Sequence, residues 1–154
     1  MKLAIFSDSH GHTSGMLRAI LRVAPDVLVH LGDYDRDTSI LEVGFPDLPL
    51  YSVSGNCDYA SHLPDTITFM AGPIRVFATH GHRYAVKSGT DALVTAARSS
   101  GASLVLYGHT HIARFQNIGG LSVLNPGTAG GAYPTFAIVE INDQGGVACR
   151  IMDV

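Results

Sequence analysis

The sequence predicts an α/β chain, an α+β arrangement of two packed sheets with helices on their outer faces. Two observations carry the prediction, and a count closes it. Strand, helix and strand follow one another in the first ~30 residues, which is a βαβ unit and makes its two strands parallel. Later, Gly-, Pro- and Asn-rich turns three times separate two short apolar runs, the pattern of β-hairpins. About nine strands and two or three helices then call for two sheets stacked on each other.

The elements follow in order. Lys2–Ser7 is a short apolar strand bounded by polar residues, and Asp8–Ser14 is a loop. Met16, Leu17, Ile20, Leu21 and Ala24 recur at helical spacing and Pro25 stops the helix. Val27–Leu31 is the second strand, a short helix is expected around Thr38–Val43, and Leu50–Ser54 is the third strand. Thr66–Met70 and Ile74–Thr79 flank Ala71-Gly72-Pro73 as a hairpin. Thr90–Ser100 is a helix with Ala92, Leu93, Ala96 and Ala97 on one face and Gly101 as its stop. Ser103–Tyr107 is a strand. Arg114–Ile118 pairs with Leu121–Leu124 across Gly119-Gly120, and Thr135–Ile141 with Val147–Met152 across Asn142–Gly146. With no repeat, low-complexity stretch or linker, residues 1–154 are expected to form a single domain.

Composition excludes several classes. Hydrophobic residues are 46% and charged residues 15%, which is wrong for a disordered chain. Net charge is -3 with no basic run, so an extended nucleic acid is not the expected partner. Cys57 and Cys149 do not make a disulfide framework. The apolar stretch after Lys2 is too short for a signal peptide, and no run approaches the ~18 residues of a membrane span. A cytoplasmic protein with no membrane partner is expected, with a homo-oligomer left open.

The chemistry sits at strand ends. Asp8-Ser9-His10, Gly32-Asp33, Gly55-Asn56-Cys57-Asp58, His80-Gly81-His82 and Gly108-His109-Thr110-His111 each follow a predicted strand. Strand C-termini are where clefts form in α/β sheets. Asp8 and His10 are two apart, as are His109 and His111, so in a locally extended loop each pair points one way. Gly32, Gly55, Gly81 and Gly108 allow sharp bends and close approach to an ion. Asp8, His10, Asp33, Asn56, His80, His109 and His111 are seven candidate metal ligands of O and N type. That donor set suits manganese, iron, nickel or zinc. Seven such side chains are too many for one ion and serve two ions sharing a carboxylate.

These motifs, in this order and rough spacing, resemble the calcineurin-like metallophosphoesterases. The short length, Cys57 after Gly55-Asn56, the Leu106–His111 run and Asn125-Pro126-Gly127-Thr128 resemble the small YfcE-type phosphodiesterases in particular. The resemblance implies a four-layer αββα sandwich of two packed sheets, and two divalent ions, manganese first. It places Asp8, His10, Asp33 and His111 on one ion. Asp33, Asn56, His80 and His109 fall on the other, with Asp33 bridging. Two positions depart from the family pattern. Gly-Asp-x-x-Asp here ends in Arg36, with Asp37 one place later, and the His that often follows Gly-Asn is Cys57.

The implied reaction is hydrolysis of a small phosphodiester by a metal-bridging hydroxide. Two dications bring four positive charges; Asp8, Asp33 and a hydroxide leave roughly +1, which a diester monoanion neutralises and a monoester dianion overshoots. Asp33, Asn56 and His80 are assigned to the reaction centre. Cys57, Asp58 and His82 are further candidates there, and Arg36 is a candidate for substrate phosphate. Two have plain alternatives: Asp58 as an ordinary turn carboxylate and Arg36 as a solvated loop cation. His12 and His62 are expected on the rim or in solvent, His30 as a hydrogen-bonded core residue, and Cys149 as a small core hydrophobe. The rival readings are a phosphomonoesterase at the same site and a protein-interaction scaffold of the same fold, like the retromer subunit. The scaffold lacks a full ligand set, whereas all seven positions are filled here.

Overall fold

A computed structural model describes residues 1–154. Ten strands and three helices form in this order: β1 (Lys2–Phe6), α1 (Thr13–Val23), β2 (Val27–His30), α2 (Arg36–Gly44), β3 (Leu50–Ser52), β4 (Thr66–Ala71), β5 (Ile74–Thr79), α3 (Asp91–Ser99), β6 (Leu104–Leu106), β7 (Arg114–Ile118), β8 (Leu121–Asn125), β9 (Thr135–Ile141) and β10 (Val147–Asp153). A single 3₁₀ turn spans His82–Tyr84. One sheet has the order β10-β9-β1-β2-β3, the other β4-β5-β6-β8-β7. The βαβ unit is parallel as expected, with Leu3 opposite Val27, and the three hairpins pair across their turns.

Strand alternation builds the layers. Leu3 and Ile5 of β1 and Val27 and Val29 of β2 face the second sheet, where they meet Val76, Ala78, Leu104 and Leu106. Ala4, Phe6 and Leu28 point the other way, onto Met16, Ala19 and Ile20 of α1 and Leu41 of α2. On the far side, Phe77, Val105 and Val123 pack against Leu93, Val94 and Ala97 of α3. The result is the αββα sandwich, with three apolar layers between four layers of structure.

Two helix faces differ from the periodicity reading. In α1, Leu21 is 72% exposed and Ala24 is exposed, while Ala19 is buried. Ala24 lies beyond the last turn with φ 46°, its N–H bonded to the Ile20 carbonyl, so it caps the helix instead of packing. In α3, Ala92 is exposed and Val94 takes its place in the core. No helix is long and apolar enough to cross a membrane.

The parallel strands bring their C-terminal ends to one edge of the sandwich, and the loops there are stitched across. Asp8 N–H donates to Gly32 O, Leu31 N–H to Phe6 O, Val53 N–H to His30 O and Gly108 N–H to His80 O.

Candidate metal centre

All seven proposed ligands lie at this edge, in two groups joined by Asp33. In the first, Asp8, His10, Asp33 and His111 offer donor atoms within 4.8 Å of one another. In the second, His80 Nε2 lies 3.1 Å from Asn56 Oδ1, 3.2 Å from His109 Nδ1 and 3.5 Å from Asp33 Oδ1. Asp33 presents different oxygens to the two groups, since Oδ2 is the one that approaches His10 Nε2, at 4.0 Å.

The electrostatics of both groups fit a cation. Asp8 is fully buried, and its Oδ2 accepts from Ser7 Oγ at 2.6 Å and from His109 N–H at 3.1 Å. Its Oδ1 is buried with no hydrogen-bond partner, although His111 Nε2 is 3.1 Å away. An orphaned carboxylate oxygen in a dry site is costly unless a positive charge meets it. His80 is also fully buried, and its Nδ1 lies 2.7 Å from the Leu31 carbonyl. A carbonyl only accepts, so Nδ1 carries a proton there and Nε2 is the nitrogen turned toward Asn56 Oδ1 and His109 Nδ1. Burial first, then His80, holds the His109 imidazole below its usual range, which keeps it neutral as a ligand must be.

The backbone at the ligands departs from the extended loops expected from the sequence. Asp8, His10, Asp33, His109 and His111 all have left-handed φ, between 46° and 67°. Non-glycine residues adopt this conformation at a cost, and it clusters where surrounding structure holds a site together. One consequence is that His109 and His111 do not point one way: His111 joins the Asp8 group and His109 the Asn56 group. The glycines also divide. Gly32 and Gly81 have positive φ, whereas Gly55 and Gly108 do not. Gly55 and Gly108 are needed for closeness, because a Cβ on Gly55 would overlap Asp33 Oδ1 and one on Gly108 would overlap Ser7 Oγ.

The remaining candidates fall around this core. Asp58 contacts neither Asn56 nor a histidine. Its Oδ1 accepts from the N–H groups of Tyr34 and Asp35, and its Oδ2 from those of Asp33 and Gly55, at 2.6–2.9 Å. Burial pushes this carboxyl up, but the four backbone donors together outweigh it and hold the pKa below the usual value. Asp58 therefore clamps the turn that carries Asp33. Cys57 is exposed, its N–H donating to Asp33 Oδ1 at 2.9 Å, and desolvation followed by Asp33 pushes its thiol up. His82 hydrogen-bonds no ligand; its ring lies 5.4 Å from that of His80, and its buried Nδ1 has no partner. Arg36 is exposed, its guanidinium 5.8 Å from the centre of the Tyr34 ring. Arg36, Tyr34, Cys57 and Tyr59 line a groove of about 230 Å³. A larger cleft of about 640 Å³ opens beside Asn56 and is walled by Ser61, Pro64, His82 and Arg83. His12 and His62 are exposed, and His30 is a core residue hydrogen-bonded to Ser9 Oγ at 3.0 Å.

Several supporting residues escaped the sequence reading. Asp37 is 3% exposed and accepts from Ser9 Oγ at 2.6 Å and Gly11 N–H at 2.9 Å, which braces the loop carrying Asp8 and His10 from beneath. The displaced acidic residue after Arg36 thus supports the site from the α2 side. Asn125 donates to Gly108 O and Thr110 Oγ1, and Thr128 Oγ1 donates to Asp8 O. Asn125-Pro126-Gly127-Thr128 carries part of the family resemblance, but its hold on the His109 loop is a tertiary contact.

Fold and site together define a metal-dependent phosphoesterase. The chain belongs to the calcineurin-like phosphoesterase superfamily, whose domain model matches residues 1–144. It is 34% identical over 131 residues to the Bacillus subtilis protein named "Probable metallophosphoesterase YsnB", covering 83% of this chain and 75% of that one. It is 27% identical over 160 residues to a phosphodiesterase of Methanocaldococcus jannaschii, covering 91% and 93%. Among solved structures, a phosphoesterase-like protein of Streptococcus pneumoniae superposes with a TM-score of 0.79 at 25% identity, over 99% of this chain and 97% of that one. The zinc complex of Vps29 from Entamoeba histolytica shares the fold, with a TM-score of 0.77 at 23% identity over 99% of both chains. Divalent metal use follows from the family and from the donor cluster of Asp8, His10, Asp33 and His111.

Proposed function

We propose that this chain is a dinuclear phosphodiesterase acting on a small substrate, with manganese as its first-choice metal. The observation that carries the reading is Asp33, whose two oxygens address two separate donor groups. Asp8, His10, Asp33 and His111 hold one ion; Asp33, Asn56, His80 and His109 hold the other. When bound, the ions supply Lewis acidity for the phosphoryl oxygens and an ionised water as nucleophile. The protein's part is to place and neutralise. Two buried carboxylates set the site's charge so that a diester monoanion balances it better than a monoester dianion does. His80 is locked by its bond to Leu31 O, and Asp58 and Asp37 hold the Asp33 and Asp8 turns so that little reorganisation accompanies reaction. Cys57 and Arg36 face the groove that would receive one ester arm. Residues 1–154 acting as one cytoplasmic domain complete the proposal.

The test is a metal-by-substrate activity matrix on purified protein, read with metal stoichiometry. The expected result is two ions per chain and preference for p-nitrophenyl diesters over the matching monoesters, highest with manganese. Full activity at one ion per chain, or a consistent preference for monoesters, overturns it.

A further inference from the structure

A second cavity adjoins the candidate centre on the other side of the loop carrying His109 and His111. It has a volume of about 600 Å³, within the range of small-molecule sites. Its charge pattern is unusual for a protein of net charge -3: Lys87 and Arg114 line it, and no carboxylate does. Neither cation has an ion pair or a side-chain hydrogen bond within the protein. The two other cavities beside the centre differ, because Arg36 shares its groove with Asp35 and Asp58, and Arg83 is paired with Asp65 at 2.8 Å.

Hydroxyl and amide groups complete the lining. Tyr107 is only 3% exposed, and its ring packs in the apolar layer beneath α3. It nevertheless lines the cavity, and its hydroxyl has no hydrogen-bond partner in the protein. The ring is buried but the hydroxyl is open to solvent on the cavity side, so it is a free donor for whatever occupies the cavity. Ser88 and Gln116 add two further donors, and Thr110, which lies between two candidate ligands, forms the shared wall.

We propose that this cavity is a subsite for a second phosphate on the substrate, so that the chain acts on a small phosphodiester with a phosphate group on one arm. The proposal rests on the phosphodiesterase reading above. An ammonium, a guanidinium fork and neutral hydroxyl donors match the several oxygens of a phosphate better than the two of a carboxylate. The scissile diester lies at the ions while the distal phosphate lies between Lys87 and Arg114. Binding energy gained there is remote from the reacting bond, and it favours substrates with that arm over simple diesters.

The test compares bis(p-nitrophenyl) phosphate with a p-nitrophenyl phosphodiester whose other arm is a short alkyl chain ending in phosphate. Manganese-loaded wild-type protein and Lys87→Ala/Arg114→Ala are assayed on both. Losing a charged hydrogen bond weakens binding by about tenfold, so the double variant should raise KM for the phosphate-armed diester about 100-fold with kcat held. It should change bis(p-nitrophenyl) phosphate hydrolysis by less than about twofold, the size of a remote surface effect. Lys87→Arg should retain most of the preference. An analogue ending in carboxylate should gain less than the phosphate-armed one. Equal KM changes on both diesters, or none on the armed one, overturn the subsite. If the wild-type protein hydrolyses neither diester, the phosphodiesterase reading falls, and binding then decides the subsite separately. Pyrophosphate titrated into the zinc-loaded chain should shift the backbone amide NMR signals of residues 87–90 and 114–118, and these shifts should vanish in the double variant. Shifts that are absent, or that survive in the variant, overturn the subsite.

Discussion

Asp58→Asn tests whether a backbone clamp, and not another ligand, holds the Asp33 turn. The carboxylate accepts four N–H donors, two on each oxygen, at 2.6–2.9 Å. An amide keeps one oxygen and turns an NH₂ group toward the other pair. Two hydrogen bonds are lost, each worth ~1.5–3 kcal/mol to a charged acceptor. The Tyr34 bond is exposed and the Asp35 bond only part-buried, so the amide nitrogen settles on that side and the low end applies. The expected loss is about 2–3 kcal/mol, or roughly 5–10 °C in Tm for a chain of this size. The assay is urea unfolding of metal-free wild type and variant across pH. Because the folded pKa lies below the ordinary 3.8, the clamp's contribution is present above that value and lost as pH falls through the folded pKa. The gap between the proteins should be full at pH 7 and close on acidification below about 3.8. Equal stability at pH 7, or a gap that widens in acid, refutes the clamp.

Four further outcomes follow. Anomalous scattering from manganese-soaked crystals should show two ions about 3.5–4 Å apart; a single ion remote from Asn56 at saturation removes the dinuclear reading. Asp33→Ala should abolish hydrolysis with the circular dichroism spectrum unchanged, while His12→Ala, on an exposed side chain, should be nearly silent; equal losses mean the site is misassigned. Cys57→His should raise turnover of alkyl diesters more than of aryl ones, within the ~10²–10⁴-fold range of general acid catalysis; Cys57→Ala selectively slowing alkyl esters would show that the thiol already donates the proton. Chelation should lower Tm, because a metal held at 100 times its Kd contributes ~2.7 kcal/mol to the folded state; a melting curve indifferent to manganese would mean that the orphaned Asp8 oxygen is satisfied some other way.

Local chemistry is what the sequence determined by itself. The three hairpins were legible because Gly72, Gly119-Gly120 and Asn142–Gly146 specify their turns within a few residues, and the parallel unit because strand, helix and strand are contiguous. The seven candidate ligand positions stood out because Asp, Asn and His beside Gly at strand ends have few other uses in combination. Tertiary structure decided everything that depends on distant segments meeting. β9 lies antiparallel beside β1 across more than a hundred residues of chain, a pairing no local pattern encodes. His109 and His111 separate into different donor groups because both have left-handed backbone, in a loop tied down by Asn125 and Asp8. Asp37 becomes a brace only once α2 carries it under Ser9 and Gly11. The carboxylate-free cavity at Lys87 and Arg114 exists only where the segment before α3 meets β7. Turn propensities and side-chain types act over a few residues, whereas burial, orphaned acceptors and the sign of a cavity belong to the packed whole.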